Sequence, residues 1–60
     1  MFYGFFGPWK GPVELRGLKT VPYRITDYVE GRDLGIVHGP IGRIEVAFDT
    51  HLLLEARISN

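Results

Sequence analysis

The chain has 60 residues, with seven basic and seven acidic residues, two histidines and no cysteine. This length allows one domain at most. Because cysteine is absent, disulfides are excluded, and a closed zinc site, which normally uses thiolate ligands, is not expected. We therefore expect no metal and no cofactor, and a fold stabilised by its own core or by association with another chain.

No apolar run approaches the roughly eighteen residues that a membrane-spanning helix requires. The first nine residues are apolar, but glycine and proline interrupt them. They also lack the basic start and the small-residue cleavage site of a signal peptide. We expect a soluble chain with no membrane partner, cytoplasmic by default.

The N-terminal segment is rich in aromatic residues, glycine and proline. Five of the eight aromatic residues lie within the first nine positions, at Phe2, Tyr3, Phe5, Phe6 and Trp9. The frequent glycine and proline disfavour a helix before residue 23. The sequence predicts an extended aromatic arm over residues 1–12, followed by a single small β-domain over residues 13–60.

Apolar and polar residues alternate along most of that domain, which is typical of strands with one buried face. The predicted strands contain Val13 and Leu15, residues 21–26, residues 34–37, and residues 43–48. Polar residues and glycine predict turns at 30–33 and 39–42.

The last segment, residues 52–58, has two interpretations. As a strand it places Leu52, Leu54, Ala56 and Ile58 on one face, and it forms a hairpin with residues 43–48. As a helix it is capped by a residue of the preceding Asp49-Thr50 pair and contains good helix formers. The alternation favours the strand.

Five short strands joined by tight turns predict an all-β fold, either a small antiparallel SH3-like barrel or a rolled sheet. Residues 23–35, in which Asp27-Tyr28 precedes an acidic loop, loosely resemble the SH3 family. The tryptophan in the middle of the chain and the C-terminal proline-tyrosine motif of that family are missing. The resemblance implies the barrel shape alone, without binding of proline-rich peptides.

Residues suited to catalysis are few, and we expect no enzyme. His38 precedes Gly39-Pro40 and His51 follows Asp49-Thr50, positions that suit polar turn residues. A general base also needs a partner within hydrogen-bond reach. Thr50 adjoins His51, but neighbours on an extended chain point to opposite faces.

The aromatic arm has three interpretations. It can close its own core, dock on a neighbouring chain, or present Phe5, Phe6 and Trp9 for stacking against single-stranded bases. In the third case the adjacent basic residues Lys10, Arg16 and Lys19 meet phosphates. The neutral net charge weighs against that case, because affinity for nucleic acids is largely electrostatic.

Charge is distributed unevenly along the chain. Residues 1–24 carry four basic residues and one acidic residue, whereas residues 25–60 carry three basic and six acidic residues. Copies could meet head to tail if these halves formed separate faces, although a small fold more simply mixes the halves over its surface.

We expect a non-enzymatic structural or protein-interaction module that binds copies of itself or belongs to a larger assembly. The expected interface residues are Phe2, Tyr3, Phe5, Phe6, Trp9 and the apolar Leu53. The alternative is a single-stranded nucleic-acid binder, with contacts at Trp9, Lys10, Arg16 and Lys19.

Overall fold

The computed structural model describes residues 1–59, which form six β-strands and no helix. In chain order they are β1 (Phe2–Phe6), β2 (Trp9–Leu15), β3 (Pro22–Asp27), β4 (Arg32–His38), β5 (Gly42–Phe48) and β6 (His51–Ile58). One sheet has the order β1-β6-β3-β4, and the other pairs β2 with β5. The all-β prediction is confirmed, but the strand count is wrong by one because the N-terminal segment contributes β1.

Strands β1 and β2 pair with β6 and β5 in one unbroken register. Tyr3 lies opposite Leu54 in the first sheet, and Leu15 lies opposite Gly42 in the second. Each step toward the C-terminus along β1 and β2 corresponds to one step toward the N-terminus along β6 and β5. This register continues without a shift from one sheet to the other. Residues 1–15 and 42–56 are therefore two sides of one long antiparallel ribbon.

The ribbon bends at Gly7-Pro8 on one side and at Asp49-Thr50 on the other. The N–H of Gly7 donates to the carbonyl of Thr50 across this corner (2.8 Å). The predicted hairpin of residues 43–48 with 52–58 is therefore wrong. These strands are successive parts of the same side of the ribbon, and each pairs with the N-terminal side instead.

Strands β3 and β4 form a hairpin that adds to the free side of β6. Its register shifts between Ile25 and Thr26. This bulge lies near Gly35, whose φ of +103° is rarely adopted by residues with a side chain. The strand interpretation of residues 52–58 is confirmed, since β6 pairs with both β1 and β3.

The bend places β2 and β5 over one face of the four-stranded sheet, and the core fills the space between. Leu15, Ile25 and Leu54 are fully buried there. Because the bend carries half of the ribbon out of the first sheet, β1 and β4 remain separate edges. The two sheets do not close into a barrel, which corrects the barrel prediction, and the SH3-like form is not confirmed.

Candidate interaction surface

Strand β1 alternates strictly between an inward and an outward face. Tyr3 and Phe5 are partly buried and pack against the core. Phe2, Gly4 and Phe6 point to the outer face and are exposed, with Phe6 at 90% of its full accessibility. Of the predicted interface residues, the structure thus places Tyr3 and Phe5 against the core and Phe2 and Phe6 in solvent.

The outward-facing residues of β1 also carry its free backbone groups. Met1 and Ala56 exchange both backbone hydrogen bonds, and Gly7 donates to Thr50. Residues that exchange bonds alternate with residues that do not along an antiparallel pair. Tyr3 and Phe5 therefore bond to β6, and the N–H and C=O groups of Phe2, Gly4 and Phe6 point to the other side.

That side of β1 is an open sheet edge. Among residues 1–59, no strand pairs with it. Natural sheets usually protect such edges with charge, proline or a bulge, and Phe2–Phe6 contains no charged residue and no proline. The opposite edge, β4, carries Arg32 and Asp33 and contains the bulge beside Gly35.

An apolar patch lies on the outer face beside the open edge. The rings of Phe2 and Tyr28 meet edge to face, with centroids 5.0 Å apart. The predicted interface residue Leu53 is partly buried on β6, directly opposite Gly4. Gly4 has no side chain, so the outer face of β1 is open between Phe2 and Phe6, beside Leu53.

Tyr3 fastens β1 to the far end of β2. Its hydroxyl donates to the carbonyl of Arg16, which follows the last residue of β2. Burial and, to a smaller extent, the nearby phenol of Tyr23 raise the pKa of Tyr3 above its usual value of 10.0. This contact joins the β1–β6 part of the bent ribbon to the β2–β5 part. It therefore holds β1, the strand with the open edge, in place.

The predicted nucleic-acid contacts do not converge. Trp9 and Lys10 begin β2, whereas Arg16 follows its end, roughly 20 Å away along an extended strand. Arg16 pairs with Glu14 at 2.8 Å, and Lys19 lies beyond it in the β2–β3 connection. No single stacking platform beside a basic groove results within the described chain.

The two oppositely charged halves of the sequence do not form separate faces. Strands β1 and β2 from the first half pair with β6 and β5 from the second half. The ion pair of Arg24 with Asp33 likewise joins the halves, across β3 and β4. This interleaving removes the basis for head-to-tail attraction between halves.

A polar groove of about 400 Å³ lies between the β3–β4 turn and the ribbon corner. Its most buried polar residue is Asp27, which is 3% exposed. The Asp27 carboxylate accepts hydrogen bonds from the N–H groups of Val29 and Glu30 (both 3.1 Å) and faces the Arg32 guanidinium at 3.4 Å. These partners assign the carboxylate to the stability of the turn.

The histidines lie at opposite ends of the four-stranded sheet. His38 is opposite Pro22, and His51 is opposite Phe6. Thr50 Oγ1 lies 3.2 Å from His51 Nδ1, so the expectation that these side chains point apart is wrong. The reason is that Thr50 belongs to the corner rather than to an extended strand.

The sequence pattern did not predict strand β1 or the place of Tyr28 in the apolar patch beside Phe2. The signal for β1 is a row of mostly apolar residues at alternate positions from Tyr3 to Leu15, all but Trp9 facing inward. Phe2 and Phe6 mask this period by placing large apolar residues on the outer face too.

Comparison with known proteins gives no match to any family model, curated protein or solved structure. Within residues 1–59, no three metal-ligating side chains lie close enough together to hold a metal ion. The part of the chain that the structure describes also contains no helix able to cross a membrane.

Proposed function

We propose that this chain is a non-enzymatic interaction module that self-associates through β1. The observation that carries the proposal is the open, uncharged edge of Phe2–Phe6, which is flanked on its outer face by exposed aromatic side chains. Such an edge is a template for another strand.

Two physical contributions support association at this edge. Each new backbone hydrogen bond contributes on the order of 0.5–1.5 kcal/mol net. Aromatic side chains supply large contact areas and dominate binding energies at interfaces. Phe6 has nearly its whole ring available for such contact, because it is 90% exposed in the single chain.

The small size of the chain also favours a partner. A domain of about 60 residues buries only about 60% of the surface that its unfolded chain exposes, so its own core gives limited stability. The largest fully buried side chains among residues 1–59 are Leu15, Ile25 and Leu54. Covering β1 adds apolar burial that the single chain cannot provide.

Sedimentation velocity over a range of concentrations tests the proposal. The unmodified chain should shift from monomer to dimer as concentration rises. The Phe6→Lys variant should stay folded, since Phe6 contacts little, and should associate at least about tenfold more weakly.

The matched control is Ile36→Lys, the same kind of change at an exposed residue of β4. It should associate like the unmodified chain. A monomer at all concentrations, or equal weakening by both variants, would contradict the proposal. Salt-dependent quenching of Trp9 fluorescence by an oligonucleotide, without self-association, would support the nucleic-acid alternative instead.

A further inference from the structure

The sequence of β1 is nearly symmetric about Gly4. Phe2 and Phe6 lie two positions away on either side, and Tyr3 and Phe5 lie one position away. When two copies of one strand pair antiparallel, a two-fold axis passes through the centre of the pairing. An axis at Gly4 therefore places aromatic opposite aromatic at every position of the strand except Gly4 itself.

The backbone favours the same centre. Phe2, Gly4 and Phe6 carry the outward hydrogen-bonding groups, so they must face one another in a paired edge. With Gly4 opposite Gly4 of a second copy, Phe2 faces Phe6 at both ends, which gives about six interchain hydrogen bonds. If the pairing slips by two residues, one of these three residues has no partner on the other copy, and only about four interchain hydrogen bonds form.

The side chains fit this register. A Cβ added at Gly4 meets no described atom within 4 Å, so the space above Gly4 is open. When the two edges pair, the open space above Gly4 of one copy adjoins the open space above Gly4 of the other. On either side of it, Phe2 of one copy faces Phe6 of the other. Leu53 is opposite Gly4 on β6, so it lies beside this space in each copy.

We infer that two copies of this chain pair antiparallel through β1 with Gly4 opposite Gly4, which joins their four-stranded sheets into one continuous sheet. The inference rests on the proposed self-association and specifies its partner and register. The partner is a second copy because the near-symmetry of Phe2–Phe6 about Gly4 matches the strand to itself.

Single-cysteine variants test the register, since the chain has no cysteine of its own. In the inferred pairing the Cα atoms of Gly4 and its partner lie about 5.5 Å apart, within the range that a disulfide spans. Under mild oxidation the Gly4→Cys variant should form a covalent dimer. Each Phe2→Cys copy lies about 14 Å from the same residue of its partner, and so does each Phe6→Cys copy.

We expect Phe2→Cys alone and Phe6→Cys alone to crosslink on the order of tenfold more slowly than Gly4→Cys. An equimolar mixture of the two should give the mixed dimer, identified by intact mass. The Ile36→Cys variant on β4 is the control for random collision and should crosslink slowly.

The possible results distinguish a failure of the inferred register from a failure of the proposed self-association. If the unmodified chain sediments as a dimer but Phe2→Cys or Phe6→Cys crosslinks alone as fast as Gly4→Cys, the register is wrong and self-association stands. If Ile36→Cys crosslinks fastest, the dimer uses β4 and the inference is overturned. If the unmodified chain is a monomer at every concentration, both proposals fail.

Discussion

Gly7 lies directly against the ring of Phe48 at the corner of the ribbon. A Cβ at Gly7 would lie 2.8 Å from Phe48 Cε2, closer than such contacts occur. Gly7 also donates its N–H to Thr50. The missing side chain at Gly7 therefore allows the ribbon to bend tightly while Phe48 stays packed against the core.

The Gly7→Ala variant should be less stable by about 1–3 kcal/mol, because the new methyl group must displace the Phe48 ring or open the corner. Chemical denaturation measures this loss. The matched control is Gly4→Ala, within the neighbouring strand β1, where the new methyl group meets open space. Equal stability of the two variants would show that the corner does not need glycine.

The Asp27→Ala variant should lose about 1–3 kcal/mol of stability, because the N–H groups of Val29 and Glu30 lose their acceptor. The matched control is Glu14→Ala, which removes an exposed ion pair with Arg16 and should cost less than about 1 kcal/mol. Thermal or denaturant unfolding compares them. A loss for Asp27→Ala no larger than the control would contradict the assigned role of this carboxylate.

Stability should fall at alkaline pH because of Tyr3. Folding raises the pKa of its phenol above 10.0, so the unfolded chain ionises first as pH rises. The contribution of Tyr3 to the free energy of unfolding is complete below pH 10.0. It is lost as the pH rises through the higher pKa that Tyr3 has in the folded chain.

Denaturant unfolding from about pH 8 to about pH 11 measures this dependence. The Tyr3→Phe variant should show a shallower alkaline decline, together with a loss of about 1 kcal/mol at neutral pH from the missing hydrogen bond to Arg16. The control is Tyr28→Phe, at an exposed phenol, which should keep the decline. An undiminished decline in Tyr3→Phe would contradict the account.

Local patterns predicted the strands whose two faces differ in polarity. In β5, Ile44 and Val46 alternate with Arg43 and Glu45, and in β6 the buried Leu54 has the polar Glu55 as its neighbour. These alternations identify strands because burial of one face dominates local conformation.

The pairing could not be predicted from the same patterns. Tyr3 and Leu54 are far apart in the chain, and their register depends on the continuous ribbon. Neighbouring strands are expected to form hairpins, but the corner at Gly7 and Thr50 directs β5 and β6 into different sheets. The candidate surface could not be predicted for the same reason, because β1 has an open edge only as a result of which strands pair with one another.

Amide hydrogen exchange along β1, followed by NMR as concentration rises, tests the central claim most directly. Tyr3 and Phe5 bond to β6 and should be protected at every concentration. Phe2, Gly4 and Phe6 should exchange freely in dilute protein and become protected as the second copy pairs with the edge. Free exchange at these three amides at all concentrations, with Tyr3 and Phe5 protected, would contradict self-association through β1.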